Sequence, residues 1–314
     1  MKIILAGSGS IALKHIAAIN NIKDVEISTL LGVNEEELKE VATTNNIPNW
    51  STDFEKTIAS SKEEAIILAT PTPLHANQAI ACMKAGKHVL IEIPMADNLN
   101  DARAIVRVQK ETGKIAMVAH TRRFNPPHQW IHHKIKKGEL HLHHLDVQTF
   151  FHRRENKNAL GKLRNWSDSL LWHHACHSVD LFRYQTGEPE VKRWALEGPT
   201  STVINTPLDM NIGMKSTSGK LLTVSLSFNN QGPLGSWFRY ICEEGTFKVH
   251  YNDITDGWDK PFEYNWNGVS DNGIELQNRE FFEAIKLNRE PNASATQCFE
   301  TMEVLHKLEY MVKN

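Results

Sequence analysis

Cysteine is sparse in this chain, with four in 314 residues, Cys82, Cys176, Cys242 and Cys298. None stands at the close spacing of a zinc site or a redox dithiol, so a disulfide framework is not expected and a reducing compartment suits the protein. An excess of one charge is also missing. The 35 Lys and Arg against 37 Asp and Glu leave a net charge of -2, which provides no basic field to draw nucleic acid or an anionic membrane. No run approaches the ~20 apolar residues that cross a bilayer, and there is no internal repeat or low-complexity stretch. The opening Met1-Lys2-Ile3-Ile4-Leu5-Ala6 imitates an export signal, but glycine and serine interrupt it and Lys14-His15 follow. A cytoplasmic protein is expected.

What is present is ordinary globular material, 40% apolar and 23% charged, of a length that suits two domains. Residues 1–120 alternate β-rich runs at 2–6, 25–31, 65–69, 88–92 and 115–119 with helical patterns at 10–21, 35–44, 74–85 and 99–112, and Gly86 and Gly113 are placed as helix stops. That order predicts an α/β, Rossmann-type doubly wound parallel sheet that binds a dinucleotide. Residues 121–314 predict a second, α+β domain for substrate binding and oligomerisation. Aromatic and histidine-rich helices come first there. Strands follow at 142–152, 191–196, 208–216, 221–228, 238–242 and 246–251, with turns at Ser218-Gly219 and Glu244-Gly245, as in an open, mostly antiparallel sheet. Helices at 275–287 and 294–312 are expected to cover one face of that sheet, and the uncovered face predicts a homodimer.

The first strand runs into Gly7-Ser8-Gly9-Ser10-Ile11-Ala12. Gly7 allows a tight turn, Gly9 lets backbone approach a pyrophosphate, and Ala12 keeps the helix close to the strand, while the helix N-terminus offers free N–H groups. The motif alone is weak; its place between first strand and first helix gives it weight. The end of the second strand normally separates NAD from NADP, by an acid for the ribose or an arginine for the phosphate. Leu31-Gly32-Val33-Asn34 offers neither, and Glu35 to Glu37 read as helix-start residues that favour the dipole. NADP or NAD is expected, with the choice open.

Trp172-His173-His174-Ala175-Cys176-His177-Ser178-Val179-Asp180 starts a helical pattern in which i, i+4 spacing puts His173 and His177 on one face. Such spacing serves a metal or a proton relay near neutral pH. No third ligand is obvious and oxidation of an alcohol needs only a base, so no metal is expected; core histidines satisfied by hydrogen bonds are the bland alternative. After the last parallel strand comes His120-Thr121-Arg122-Arg123-Phe124-Asn125-Pro126, where such folds bind ligands. Adjacent arginines suit a small anionic carboxylate substrate, and Arg153, Arg154, Arg164 and Arg239 can add to them. For Arg153 and Arg154, surface ion pairs weigh equally. His128, His132, His133, His141, His143 and His144 read as solvated or structural.

These segments resemble the glucose-fructose oxidoreductase and inositol dehydrogenase (Gfo/Idh/MocA) family over essentially the full length. Its chain order is a glycine turn, Glu-Lys-Pro after the fifth strand, and a histidine helix. Here Glu92-Ile93-Pro94 stands for Glu-Lys-Pro, and His173 stands where the family usually has the Asp of an Asp-x-x-x-His pair ending in His177. The family's Lys typically contacts a substrate hydroxyl and the nicotinamide ribose. Ile93 cannot, which disfavours a sugar or polyol.

Further runs, Ile91-Glu92-Ile93-Pro94, Ser225-Leu226-Ser227-Phe228-Asn229-Asn230, Gly232-Pro233-Leu234-Gly235 and Phe238-Arg239-Tyr240-Ile241-Cys242, are similar to a branch that oxidises the cyclic hemiacetal of a ring-cleaved aromatic dicarboxylate. The resemblance implies NADP as the usual acceptor, though Val33 and Asn34 stand where that branch carries basic residues. With such a substrate, the carboxylates are expected to be held by Arg122 or Arg123, in the loop that His120 opens, and by Arg239 or other second-domain arginines, with Ile93 and Trp166 as apolar walls. His177, with His173 or His174 and oriented by Asp180, is the implied base. Thr70-Pro71-Thr72-Pro73 with His75 is implied to touch the cofactor ribose, against the plain reading of a stiff turn. Two rivals remain. One is another small hydroxy-substrate (inositol, sugar or dihydrodiol), against which Ile93 counts. The other is a non-catalytic cofactor-binding sensor, against which His177 and the arginine loop count.

Overall fold

A computed structural model describes residues 1–157, 161, 163 and 168–313. Trp166 and Arg164, both expected near substrate, lie outside the described residues. The chain divides into two units, Met1–His120 with Asn272–Met302, and Thr121–Asp271 with Glu303–Asn314.

Unit 1 carries β1 (Lys2–Ala6), α1 (Ser10–Ile19), β2 (Glu26–Leu31), α2 (Glu35–Thr44), β3 (Asn49–Ser51), α3 (Phe54–Ser60), β4 (Ala65–Leu68), α4 (Thr72–Lys84), β5 (His88–Ile91), α5 (Leu99–Thr112) and β6 (Ala116–Val118). Its six strands are all parallel, in the order β3-β2-β1-β4-β5-β6. Ile3, Ile4 and Leu5 of β1 and the whole of β4 are fully buried, as expected of strands covered on both faces. The strand order reverses beside β1, which opens a crevice at the carboxyl ends of β1 and β4. The sequence signalled neither β3 nor α3, because a three-residue strand and a seven-residue helix are too short to show a period.

The expected second domain, 121–314, needs correction. Residues 272–302 pack with unit 1 instead. The Val118 N–H donates to the Ala293 carbonyl at 2.8 Å, and Met117 bridges to Ser294. Helix α8 (Gly273–Leu287) lies on α1, where His15 Nδ1 is 3.0 Å from Asn278 Oδ1. Helix α8 and the first part of α9 (Ala295–Lys313) thus belong to unit 1. Apolar periodicity reports that a helix buries a face but not which sheet receives it.

Unit 2 holds α6 (Pro126–Lys136), β7 (Leu142–Phe150), a π-helical turn (Leu170–Ala175), α7 (Cys176–Thr186), β8 (Glu190–Glu197), β9 (Asp209–Ser216), β10 (Leu221–Ser227), β11 (Gly235–Cys242), β12 (Gly245–His250) and β13 (Asp253–Asp256). The seven strands run β13-β12-β11-β7-β10-β9-β8, antiparallel except for the parallel pair β7 and β10. Alternation puts Leu145 and Val147 of β7, Leu222 and Val224 of β10, and Phe238 and Tyr240 of β11 into the core. Helix α6 packs on this face, its buried His128 reaching the Tyr240 hydroxyl at 2.8 Å.

Gly7 has φ +122°, and a Cβ there would stand 2.3 Å from the Ala69 carbonyl oxygen. Gly7→Ala should cost about 2 kcal/mol or more, since backbone strain and a clash with rigid backbone combine. A fall in the urea midpoint with m unchanged is the expected result.

Candidate active site

The cofactor half is built by the ends of β1, β2, β4 and β5. The Gly7 N–H donates to the Leu31 carbonyl at 2.7 Å, which closes the turn against β2. Gly9 is the N-cap of α1, and a Cβ there would meet nothing within 4 Å, so the turn is open to an approaching group. No side chain caps α1 and no acid stands in its first turn. The N–H groups around Ser8, Gly9, Ser10 and Ile11 thus fit a dinucleotide pyrophosphate.

At the end of β2, Asn34 caps α2 by accepting the Glu37 N–H at 3.1 Å, and Val33 is 93% exposed. Glu37 does more than start the helix: its Oε1 accepts a hydrogen bond from Ser8 Oγ at 2.7 Å. Nothing in the spacing of these two residues announced that bond.

Past β4, Thr70 Oγ1 donates to Gln78 Oε1 at 2.6 Å, and Thr72 opens α4 behind Pro71. His75 differs from its expected ribose contact. It is buried, and its ring nitrogens lie 2.8 Å from the carbonyl oxygens of Thr70 and Pro94, so it ties two turns together. Past β5, Glu92 accepts the Ile93 N–H on Oε2 at 3.2 Å, and its Oε1 lies 2.9 Å from Nε2 of the buried His15. His15 and Asn278 were missed in the sequence; the signal available for His15 was a polar residue on the buried face of α1. His120 follows β6, buried, its N–H donating to the Val118 carbonyl at 2.8 Å.

The substrate-side residues of unit 2 separate into two groups. Thr121–Arg123 forms a single 3-10 turn, and its two arginines have different fates. Arg123 is buried and binds Asp180 through two bonds, Nε to Oδ2 at 2.8 Å and Nη2 to Oδ1 at 2.7 Å. It is therefore committed to a buried acid rather than available to a substrate carboxylate. Arg122 is half-buried, stacks 5.3 Å from the Phe238 ring centroid and donates to Asn125 Oδ1 at 3.5 Å. Among the described residues it has no carboxylate partner. Burial lowers its proton affinity, yet a guanidinium stays charged.

Arg239 does not join Arg122. Phe238 and Tyr240 point into the core, so the residue between them projects from the opposite face of the sheet, where it is exposed. His128, buried rather than solvated, stands edge-on to Phe238 at 4.7 Å. Burial first, then Arg122, holds its pKa well below the ordinary histidine value, and it is neutral.

The expected α-helical spacing of the histidines is also modified. Residues 170–175 form a π turn and α7 begins only at Cys176, so His173 and His177 straddle a junction. His173 Nδ1 accepts the Ser169 N–H at 3.0 Å, which turns its ring back toward the start of the turn. His177, half-buried, lies in the first turn of α7. His174 is 3.8 Å from Asp168, which also pairs with Arg153, while Arg153 lies over the Phe228 ring at 4.6 Å. Burial raises the Asp168 carboxyl, but His174 and Arg153 outweigh it and hold the acid well below the usual carboxylate range. Arg153 is thus an ion-pair residue. Arg154 is exposed.

Residues 1–120 match the model of the oxidoreductase family with an NAD-binding Rossmann fold, and residues 126–266 match that of the C-terminal region of bacterial oxidoreductases. A 4-carboxy-2-hydroxymuconate-6-semialdehyde dehydrogenase from a Sphingobium strain is 48% identical over 313 residues, covering 100% of this chain and 99% of the relative. The chain belongs to the Gfo/Idh/MocA oxidoreductase family. Among solved structures, an aldose-aldose oxidoreductase from Caulobacter crescentus superposes with a TM-score of 0.87 at 19% identity, covering 100% of this chain and 97% of the other. The WlbA dehydrogenase from Bordetella pertussis, in complex with NADH and UDP-GlcNAcA, gives 0.85 at 21% identity, covering 100% and 95%. These share the fold. As a member of the family the chain is an NAD(P)-dependent dehydrogenase of hydroxyl or aldehyde substrates.

Arg123→Ala should strand the Asp180 carboxylate without its guanidinium and cost about 3–5 kcal/mol of stability. Equilibrium urea unfolding measures this, and a loss under about 1 kcal/mol would place the pair among the weak ones.

Proposed function

We propose that the chain oxidises the cyclic hemiacetal of 4-carboxy-2-hydroxymuconate-6-semialdehyde to 2-pyrone-4,6-dicarboxylate, a step of protocatechuate 4,5-cleavage. The observation that carries the reading is Arg122: a half-buried guanidinium on an aromatic ring, with no acid of its own among the described residues. A charge held in that state is stabilised by an incoming carboxylate. The full-length likeness to the Sphingobium dehydrogenase supports the same class of substrate. Ile93, apolar where the family has a lysine, supports a planar acid over a polyol.

In this reading bound nicotinamide supplies the hydride acceptor. The glycine turn would hold the pyrophosphate, and Glu92 and Ile93 would line the nicotinamide end. Arg122 positions the dicarboxylate. His177 takes the hemiacetal hydroxyl proton as the hydride leaves the same carbon, and the new C=O bond completes the lactone. His174, beside Asp168, helps to orient the substrate ring.

The reaction is read as absorbance growth at 340 nm when ring-cleaved protocatechuate and a nicotinamide dinucleotide are supplied. Growth with an inositol or sugar but none with this acid would overturn the substrate assignment. His177→Ala should lower kcat by ~100-fold or more, and near-normal turnover would remove it as the base. Arg122→Ala should act mainly on KM, as expected of an anchor that binds ground state and transition state alike.

A further inference from the structure

Cofactor choice depends on what stands at the end of β2, where this type of fold holds the adenosine ribose. Asn34 uses its Oδ1 to cap α2, and Val33 points into solvent. The first turn of α2 carries Glu35, Glu36 and Glu37. Glu35 pairs with Lys39 at 2.7 Å, and both side chains are more than half exposed, at 58% and 54%. Glu37 behaves differently, because Ser8 Oγ donates to it across 29 residues of chain. Ser8 is the middle residue of the glycine turn, and β1 and β2 are neighbours in the sheet. The bond therefore holds this carboxylate at the glycine turn, beside the carboxyl ends of β1 and β2.

We propose that Glu37 selects NAD over NADP by presenting its carboxylate to the 2′-hydroxyl of the adenosine ribose. The proposal rests on the dinucleotide site of the reading above and is independent of the substrate named there. A carboxylate only accepts hydrogen bonds, so it matches a ribose hydroxyl and repels a phosphate at the same carbon. No arginine of unit 1 offsets that repulsion. The sequence has no arginine before Arg103, and the four arginines of unit 1 are engaged elsewhere. Arg103 donates to Asn100 at 3.2 Å, Arg107 pairs with Glu111, Arg279 with Glu275, and Arg289 with Glu280. Lys39, the nearest lysine along the helix, sits on Glu35 and 5.0 Å from the Trp50 ring centroid. The α2 dipole, which favours anions, already faces three glutamates.

The test is direct binding of NAD and of NADP to the full chain, by titration calorimetry without substrate, so that a mistaken substrate leaves the result untouched. NAD should bind at least about tenfold more tightly, a difference of about 1.4 kcal/mol. Glu37→Gln keeps the length and the Ser8 partner while removing the charge, and should bring the two affinities to within about threefold at an unchanged Tm. Glu37→Arg should reverse the order. NADP binding as tightly as NAD to the unaltered chain, an unchanged ratio in Glu37→Gln, or no binding of either dinucleotide would each overturn the proposal.

Discussion

Unit 1 turns on one imidazole. His15 is buried on α1 with Glu92 at one ring nitrogen and Asn278 at the other. The first contact fixes the carboxylate whose other oxygen accepts the Ile93 N–H. The second holds α8, from the far end of the chain, against α1. One imidazole thereby links the turn after β5 to the docking of α8. His75, bonded to Thr70 and Pro94, braces the same turn from the side of β4.

Unit 2 depends on a division of labour between neighbours. Arg123 neutralises the buried Asp180 and joins α7 to the turn before α6. With that ion pair set, the adjacent Arg122 is directed to the other side, over Phe238. A rigid internal pair thus orients the neighbouring guanidinium, which has no carboxylate partner among the described residues. The π turn before α7 plays a similar part for the histidines. It adds a residue to the helical turn and separates His173, folded back on Ser169, from His177.

Much of the fold was legible because buried parallel strands are uninterrupted apolar runs and half-buried antiparallel strands alternate. The Ile-Ile-Leu of β1 and the Ala-Ile-Ile-Leu of β4 are such runs, each bounded by segments of different pattern. β3, α3 and β13 escaped because three, seven and four residues carry too little pattern. The glycine turn was readable for the same local reason: it needs only a strand, two glycines and a helix. The partition of Arg122 from Arg123 was not readable, since it is decided by an aspartate 57 residues away. Arg239 is a different case. Its flanking Phe238 and Tyr240 already announced that it lies on the opposite face, and alternation outweighs any attraction of an arginine to a site. Glu37 shows the converse, where a residue with a sufficient local explanation as a helix-start acid carries a tertiary bond as well.

The return of residues 272–302 to unit 1 makes that unit discontinuous, and this bears on how the protein comes into being on the ribosome. Asn278 meets His15 across 263 residues, and β6 gains the Ala293 carbonyl only once residues 121–292 have been made. A nascent chain of the first 120 residues carries the segments of the parallel strands and the glycine turn but lacks Asn278 for His15 and Ala293 for the edge of β6. Such long-range closure is slow. The nucleotide-binding half therefore closes only once α8 has been made, and a chain whose synthesis stops before α8 lacks the amide beside His15.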